Sequence, residues 1–343
     1  MSHKNLSVKI KIPKNLNKKL NNKKIFQIYR KFEKSLNIDK NFIVAVSGGP
    51  DSLALAFLAK IYSIKNKVNS NFFIVDHKLR TESTKEAKAV KQVLKKHSIN
   101  AQILTWKGPK PSKNVQSLAR KKRYELLFAQ CKKYKTNNIL LGHHQDDLFE
   151  NFFIRILRGS GLKGLISLDK KSNIDGKNLL RPLLNQKKED LVYLSKNVFN
   201  FYVEDPSNND EKYQRIKIRK LIKELKKSGL SKEKFLNTIK NLKYSNSVVN
   251  FYVNENLQKN TSFLNNNNKR LILNESFFQQ PYEIIFRSMS DSIKLVGKKY
   301  YSTRGKKLSK ILSDIENNRL FKVTLGGCII EKVNQTVIIS KEH

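Results

Sequence analysis

A parallel α/β sheet, followed by a helical segment and a small α+β unit, is the fold class this chain predicts, and three observations carry it. Between residues 42 and 150 short strand-like runs, the first rich in β-branched residues, alternate with longer helix-like stretches, the rhythm of strand–helix–strand units. The first of these runs ends in a glycine turn that opens a helix. Each chemistry-bearing stretch begins at the end of a strand-like run, where open parallel sheets bind ligands.

The strand-like runs are Phe42 to Val46, Phe72 to Val75, Ile99 to Trp106 and Asn138 to Leu141. Helices are expected over Leu53 to Ile64, Thr84 to His97 and Val115 to Tyr134, and again after Leu141. A hairpin is expected around Asn173-Ile174-Asp175-Gly176, then a helix from Lys187 to Val198. Asn208, Asn209 and Asp210 mark a break before a basic helix starting near Glu211. Farther on come a long helix from Ser231 towards Asn256, a linker at Asn265 to Asn268, helices over Tyr282 to Val296 and Lys306 to Ile315, and strands over Phe321 to Ile330 and Thr336 to Ile339. Residues 1–24, rich in Lys and Asn apart from an alternation at Val8 to Ile12, read as a basic tail or weak edge strand.

The 343 residues suffice for two domains, and the formal net charge of +41 invites a polyanionic partner. Of the 69 basic residues only 13 are Arg, so the Lys excess also reflects a compositional bias. The scarce arginines say more: Arg120, Arg123, Arg155, Arg158, Arg181, Arg215 and Arg219 fall in or beside the motifs below. Cys131 and Cys328 stand alone, which excludes a disulfide framework or a CxxC pair and fits a reducing compartment. No apolar run is long enough to span a membrane and the start lacks a signal-peptide core, so a cytoplasmic location is expected.

Ser47-Gly48-Gly49-Pro50-Asp51-Ser52 joins the first strand to its helix. Two glycines allow a sharp turn that brings backbone N–H groups near a phosphate, and the helix N-terminus adds partial positive charge. Asp51 stands where a P-loop would carry Lys, and an acid beside a phosphate implies a bridging Mg²⁺. A plain strand-to-helix turn capped by Ser52 is the alternative. At the second strand end, Asp76-His77 could meet a nucleotide, or Asp76 could cap the turn before Glu82, Ser83 and Thr84. Arg120 and Arg123 share one side of a helix and face either an anion or solvent.

The fourth strand leads into Gly142-His143-His144-Gln145-Asp146-Asp147-Leu148-Phe149-Glu150-Asn151. Phe149, Phe152, Phe153 and Ile156 follow i, i+3, i+4, i+7 and are expected as the buried stripe, leaving Asp147, Glu150 and Asn151 on another face. Two carboxylates beside a phosphate site call for cations, whether Mg²⁺ or an ammonium substrate. Adjacent His143 and His144 do not share a helix face and lack a third ligand, which disfavours zinc. Finally, Glu204 to Asp210 has turn chemistry, and Arg215 and Arg219, one helical turn apart, present a basic edge to a phosphate backbone.

In this order, Ser47 to Ser52, Asp76 to Ser83, Gln116 to Tyr124, His143 to Glu150 with Arg155 to Leu165, and Glu204 to Arg219 resemble the motifs of the tRNA(Ile)-lysidine synthetases, members of the PP-loop ATPases. The likeness covers roughly residues 42 to 219; beyond it, only Leu325-Gly326-Gly327-Cys328 is similar to the family's small tRNA-binding domain. The resemblance implies a Rossmann-like catalytic domain over residues 25–224, behind the tail, and a helical and small tRNA-binding part over 225–343. It implies ATP and Mg²⁺ as cofactors, and free L-lysine and a tRNA(Ile) with a CAU anticodon as partners, with no membrane; a homodimer is compatible with it. It places Ser47, Gly48, Gly49, Pro50, Asp51 and Ser52 at pyrophosphate, Asp51 and Asp147 near Mg²⁺ or lysine, Arg123 and His143 near the α-phosphate, Glu150 near lysine and Arg215 near the reacting nucleotide. Lys78, Asn151 and Ile216 depart from the family's usual Gly, Thr and Asn. A tRNA thiolase, which would want more cysteines, and a non-catalytic RNA-binding relative are the rival readings.

Overall fold

The computed structural model describes residues 12–38, 40–108, 115–204, 214–264, 270–298 and 305–342. The chain divides into two compact units, Met1–Leu230 and Ser231–His343.

In the first unit β1 (Phe42–Val46), β2 (Ser70–Asp76), β3 (Ala101–Thr105), β4 (Asn138–Leu140), β5 (Lys171–Ile174) and β6 (Lys177–Leu180) form one sheet in the order β3-β2-β1-β4-β6-β5. Every neighbouring pair is parallel except the β5–β6 hairpin. The helices are α1 (Lys14–Leu20), α2 (Lys23–Ser35), α3 (Pro50–Lys65), α4 (Ser83–Lys96), α5 (Val115–Lys133), α6 (Gln145–Ile156), α7 (Leu162–Leu165), α8 (Lys188–Phe199) and α9 (Gln214–Lys227). Phe42, Val44, Val46, Phe72 and Ile74 pack on one face with α2, α3, α4 and α8, while Ile43, Phe73, Ile139 and Leu179 pack on the other with Tyr124, Leu127 and Cys131 of α5. Burial on both faces is why β1 is apolar throughout rather than alternating. With β2 and β3 on one side of β1 and β4 on the other, the strand order reverses between β1 and β4. The loops leaving those two strands therefore flank one crevice.

The start of the chain corrects the sequence reading. Residues 14–24 are helical or turn rather than a loose tail: Pro13 precedes α1, whose Leu16 and Leu20 are buried, and Asn22 caps α2. Ile25, Ile28, Tyr29 and Phe32 of α2 follow i, i+3, i+4, i+7, a core stripe masked in the sequence by the surrounding lysines. Residues 1–11, with most of the Val8 to Ile12 alternation, lie outside the described residues.

The second unit holds α10 (Lys232–Asn260), β7 (Thr261–Phe263), β8 (Arg270–Leu273), α11 (Glu275–Phe278), α12 (Tyr282–Gly297), α13 (Gly305–Glu316), β9 (Lys322–Leu325), β10 (Cys328–Val333) and β11 (Thr336–Lys341). Its antiparallel sheet runs β7-β8-β11-β10-β9. Met289, Ile293 and Val296 of α12 and Leu308, Ile311 and Leu312 of α13 share a core with Leu271, Cys328, Ile330 and Ile339. The single strand expected from Phe321 to Ile330 is two, broken by the Gly326-Gly327 turn, and β7 and β8 escaped the sequence reading. The Asn265 to Asn268 linker lies outside the described residues.

Candidate active site

The glycine loop is held from within. Ser52 Oγ accepts hydrogen bonds from the Ser47 and Gly48 amides, each at 3.1 Å, lies 3.2 Å from Ser47 Oγ, and donates to the Gly49 carbonyl at 3.0 Å. Gly48 has φ +94°, and a Cβ there would lie 2.7 Å from Val90 Cγ2 and 3.1 Å from Val203 Cγ2. The Val203 amide donates to the Gly48 carbonyl at 3.0 Å, and Ser195 Oγ donates to the Pro50 carbonyl at 2.6 Å. These contacts fix the loop so that α3 starts at Pro50, aiming its N-terminal dipole into the crevice. Across it, Gly142 brings the loop after β4 so close that a Cβ would sit 3.2 Å from Ser52 N.

His144 closes that loop onto α6. Its Nδ1 accepts from the Asp146 amide at 3.2 Å, while its own amide donates to Asp147 Oδ2 at 2.8 Å, a reciprocal capping box. Because Nδ1 accepts, Nε2 carries the proton, and it lies 3.5 Å from Asp51 Oδ2 and 3.7 Å from Asp147 Oδ2. One imidazole thus sits between the two carboxylates expected at the cation. Burial pushes the Asp51 carboxyl up from its ordinary pKa, while His144 draws it down and Asp147 adds to the rise. Asp51 Oδ1 is buried without a hydrogen-bond partner, so the pocket holds an acceptor in search of a cation.

Oxygen donors from two carboxylates suit a hard cation such as Mg²⁺, which binds through one or two carboxylates and completes its shell with water and phosphate oxygens. Among the described residues no group of three or more His, Cys, Asp or Glu forms a self-sufficient metal cage. Asp51 and Asp147 therefore fit a cation that arrives with a polyphosphate.

Glu150 is placed differently from Asp147. Its residue surface is 4% exposed, and Arg219 Nε on α9 donates to its Oε1 at 2.6 Å, with Arg215 Nε 4.0 Å from Oε2. Oε2 is buried and makes no hydrogen bond. The expected Phe stripe is corrected here: of its members only Phe149 is buried, and Ile156 is 46% exposed. The first turns of α6 bury Gln145, Leu148, Phe149 and Glu150 instead, because the facing element α9 brings arginines as well as apolar side chains. Asn151 turns away to donate to Ser167 Oγ at 3.2 Å.

His143 Nδ1 is likewise buried without a partner. Burial lowers its pKa to about 4, helped by Arg181, Arg120 and Arg215 and opposed by Asp147, so the ring is neutral near pH 7. Arg120, Arg181 and Arg215, from three parts of the chain, all contribute positive charge at this ring. Arg123 Nε lies 3.4 Å from His77 Nε2, and burial, followed by Arg123, lowers the His77 pKa to about 4. Burial, followed by the charges of Arg158 and Arg120, lowers the Arg155 pKa, and Arg158 Nη2 donates to Gln214 Oε1 at 3.3 Å. Asp76 is committed to its turn: it accepts from the Lys78 amide, Ser83 Oγ and Thr84 Oγ1, and although burial opposes ionisation these bonds hold its pKa below the ordinary value. The turn reading of Asp76 is the one the geometry supports. Residues 205–213, including the Asp-Pro-Ser-Asn turn, lie outside the described residues.

Ser195, Val203 and the bridging role of His144 were missed from sequence. Ser195 and Val203 belong to elements far along the chain whose approach to the loop no local pattern announces. His144 gave only a faint signal, the acid three residues on, because His is not among the residues that ordinarily open a capping box.

A parallel sheet with its glycine loop and acid-bearing helix start at the strand-order reversal defines a nucleotide-binding α/β enzyme fold. The PP-loop domain family matches residues 17–225. The tRNA(Ile)-lysidine synthase of Wolbachia pipientis wMel is 34% identical over 302 residues, covering 87% of this chain and 70% of the relative. That of Orientia tsutsugamushi (strain Boryong) is 34% identical over 315 residues, with 87% and 69% covered, and that of Rickettsia bellii (strain OSU 85-389) 31% over 335, with 92% and 74%. This chain belongs to the tRNA(Ile)-lysidine synthase family, ligases of the PP-loop class. A U34-tRNA thiolase from Methanococcus maripaludis has a similar fold, with TM-score 0.54 and 20% identity over 64% of this chain and 78% of that one. No helix among the described residues is long and apolar enough to cross a membrane.

Proposed function

We propose that the chain ligates free lysine to C2 of the wobble cytidine of a CAU-anticodon tRNA(Ile), giving lysidine, AMP and diphosphate and changing codon recognition from AUG to AUA. The reading rests on one observation above the others: Asp51, with its open Oδ1, and Asp147 flank a single imidazole between the ends of β1 and β4. Cytidine O2 attacks the α-phosphorus of ATP, the bond to the β-phosphate oxygen breaks, and diphosphate leaves. The lysine ε-amine, having lost a proton, then attacks C2, and AMP departs with O2. Mg²⁺ held by Asp51 and Asp147 would neutralise charge on the polyphosphate.

The α3 N-terminus and the loop Ser47 to Ser52 orient the diphosphate. Arg123 and the neutral His143 face the α-phosphate, the latter as a hydrogen-bonding group that adds no charge of its own. Arg215 approaches the reacting nucleotide. Glu150 Oε2, buried and without a hydrogen bond, accepts from an ammonium of lysine. A thiolase chemistry finds less support: Cys131 and Cys328 are both buried, and burial pushes the Cys131 thiol up to about 11, the opposite of an activated nucleophile. A cytoplasmic location belongs to the same reading.

Nucleosides released from a CAU-anticodon tRNA(Ile) transcript after incubation with ATP, lysine and the protein, separated by mass, test it. Lysidine is expected with wild type and absent with Asp51→Asn, which retains tRNA binding. No lysidine from the wild-type protein would sink the proposal. Glu150→Gln is expected to raise the lysine KM far more than the ATP KM; the reverse pattern reassigns Glu150 to the metal.

A further inference from the structure

The long helix α10 carries an exposed face that its own fold does not use. Its core side holds Phe235, Ile239, Val253 and Asn256, all buried. Asn256 Nδ2 donates to Ser288 Oγ at 3.2 Å and Arg287 Nη1 to Asn246 Oδ1 at 2.7 Å, tying this side to α12. On a different face Tyr244, Val248, Phe251 and Tyr252 fall at i, i+4, i+7 and i+8, one stripe on a helix, and each is half or more exposed. Lys240, one turn before Tyr244, places its Nζ 5.6 Å from that ring's centroid, and Phe251 and Tyr252 meet edge to face at 5.4 Å. Three aromatic rings and a valine in contiguous array on a solvent-facing helix mark a contact surface rather than scattered exposure.

Charge decides the kind of partner. A second copy of this chain would bring another +41 to a face bordered by Lys240 and Lys243, whereas an RNA brings the opposite sign. An aromatic stripe with lysines at one end, here Lys240 and Lys243 ahead of Tyr244, is also what stacks unpaired bases while neutralising an adjoining phosphate. We infer that the Tyr244, Val248, Phe251 and Tyr252 face of α10 is a stacking platform for unpaired bases of the RNA substrate, with Lys240 on the adjoining phosphate. This deepens the proposed function and rests on it.

Full-length wild type, Phe251→Ala/Tyr252→Ala, Tyr244→Ala and Lys240→Gln are compared for affinity to a CAU-anticodon tRNA(Ile) transcript and to a fully paired RNA duplex, each across a salt series, with far-UV circular dichroism and sedimentation alongside. The substituted positions are exposed and Ala favours helix, so folding is expected to be intact. Loss of base stacking is expected to weaken tRNA binding roughly ten- to hundredfold in the double variant, with the logarithmic salt slope unchanged and duplex binding unaffected. Lys240→Gln is expected to flatten the slope by about one counterion instead. Unchanged tRNA affinity in the double variant overturns the inference while lysidine formation by wild type leaves the proposed function standing. A dimer that falls apart in the double variant, with tRNA affinity retained, makes the face an interface between copies. A wild-type protein that fails to bind this tRNA takes both readings down.

Discussion

Removing Arg219 tests the burial of Glu150 directly. Glu150 has its side chain 5% exposed and one strong partner, Arg219 Nε at 2.6 Å, while Arg215 stands off at 4.0 Å. Breaking a fully buried pair by deleting one member costs about 3–5 kcal/mol, because the surviving charge is left without solvent or partner. Here the figure is smaller, since the Arg219 side chain is itself 35% exposed and Arg215 can move closer, so Arg219→Ala is expected to cost roughly 2–3 kcal/mol. For a unit of this size each kcal/mol lowers Tm by about 2–4 °C, giving a fall of roughly 4–12 °C. Thermal melts of wild type, Arg219→Ala, Glu150→Gln and the double variant close a cycle. Adding Glu150→Gln to Arg219→Ala is expected to recover most of the loss, because the neutral amide no longer needs a cation. If Arg219→Ala melts with wild type, or if the second change brings no recovery, the pair does not hold α6 to α9 and the assignment of a buried, cation-seeking Glu150 fails.

Gly48→Ala is expected to destabilise by roughly 2–4 kcal/mol, from the positive φ and from a Cβ that meets the buried Val90; urea unfolding measures it, and a second change of Val90→Ala should restore part of the loss. His77 is held neutral, its pKa lowered to about 4 mainly by burial, so the unfolded chain binds its proton first as pH falls. Stability is therefore lost between about pH 6.5 and pH 4, on the order of 1–2 kcal/mol at pH 5 once solvent screening of the partly exposed ring is allowed for, and His77→Asn should flatten that part of a stability–pH curve while a parallel curve would refute the assignment. Lys78 sits at φ +51°, where the family resemblance leads one to expect Gly; Lys78→Gly is expected to raise stability by roughly 0.5–1 kcal/mol in the same urea assay.

The sheet of the first unit was legible because both of its faces are covered: strands apolar throughout, separated by helix-length intervals, admit few other arrangements. The glycine loop and the acids of α6 were legible because their chemistry demands particular residue types at fixed spacing. The start of the chain was misread for the opposite reason, since Leu16, Leu20 and the stripe of α2 are diluted among lysines and become a core only against α3 and α8. In the second unit β7 and β8 are too short to show a period, and the Gly326-Gly327 turn divides what reads as one apolar run.

The misassigned face of α6 shows what a period can and cannot tell. A 3.6-residue repeat says that Phe149, Phe152, Phe153 and Ile156 share a side; it does not say what lies opposite. The opposing element, α9, begins at Gln214, 64 residues after Glu150, and it brings Arg215 and Arg219 to the very turn where an acid interrupts an apolar sequence. Burying a lone carboxylate costs several kcal/mol, so a fold under pressure for stability alone would place another Phe at position 150. Glu150 is buried beside two arginines and still keeps one oxygen without a hydrogen bond. An acid that is buried, paired and still incompletely satisfied is poorly explained as packing and fits the role proposed above, a group whose second cation comes with the substrate. Asp51 is less buried, its side chain 24% exposed, yet its Oδ1 is likewise enclosed without a hydrogen bond, so that on both sides of the crevice the unsatisfied atom is a carboxylate oxygen able to accept from a cation.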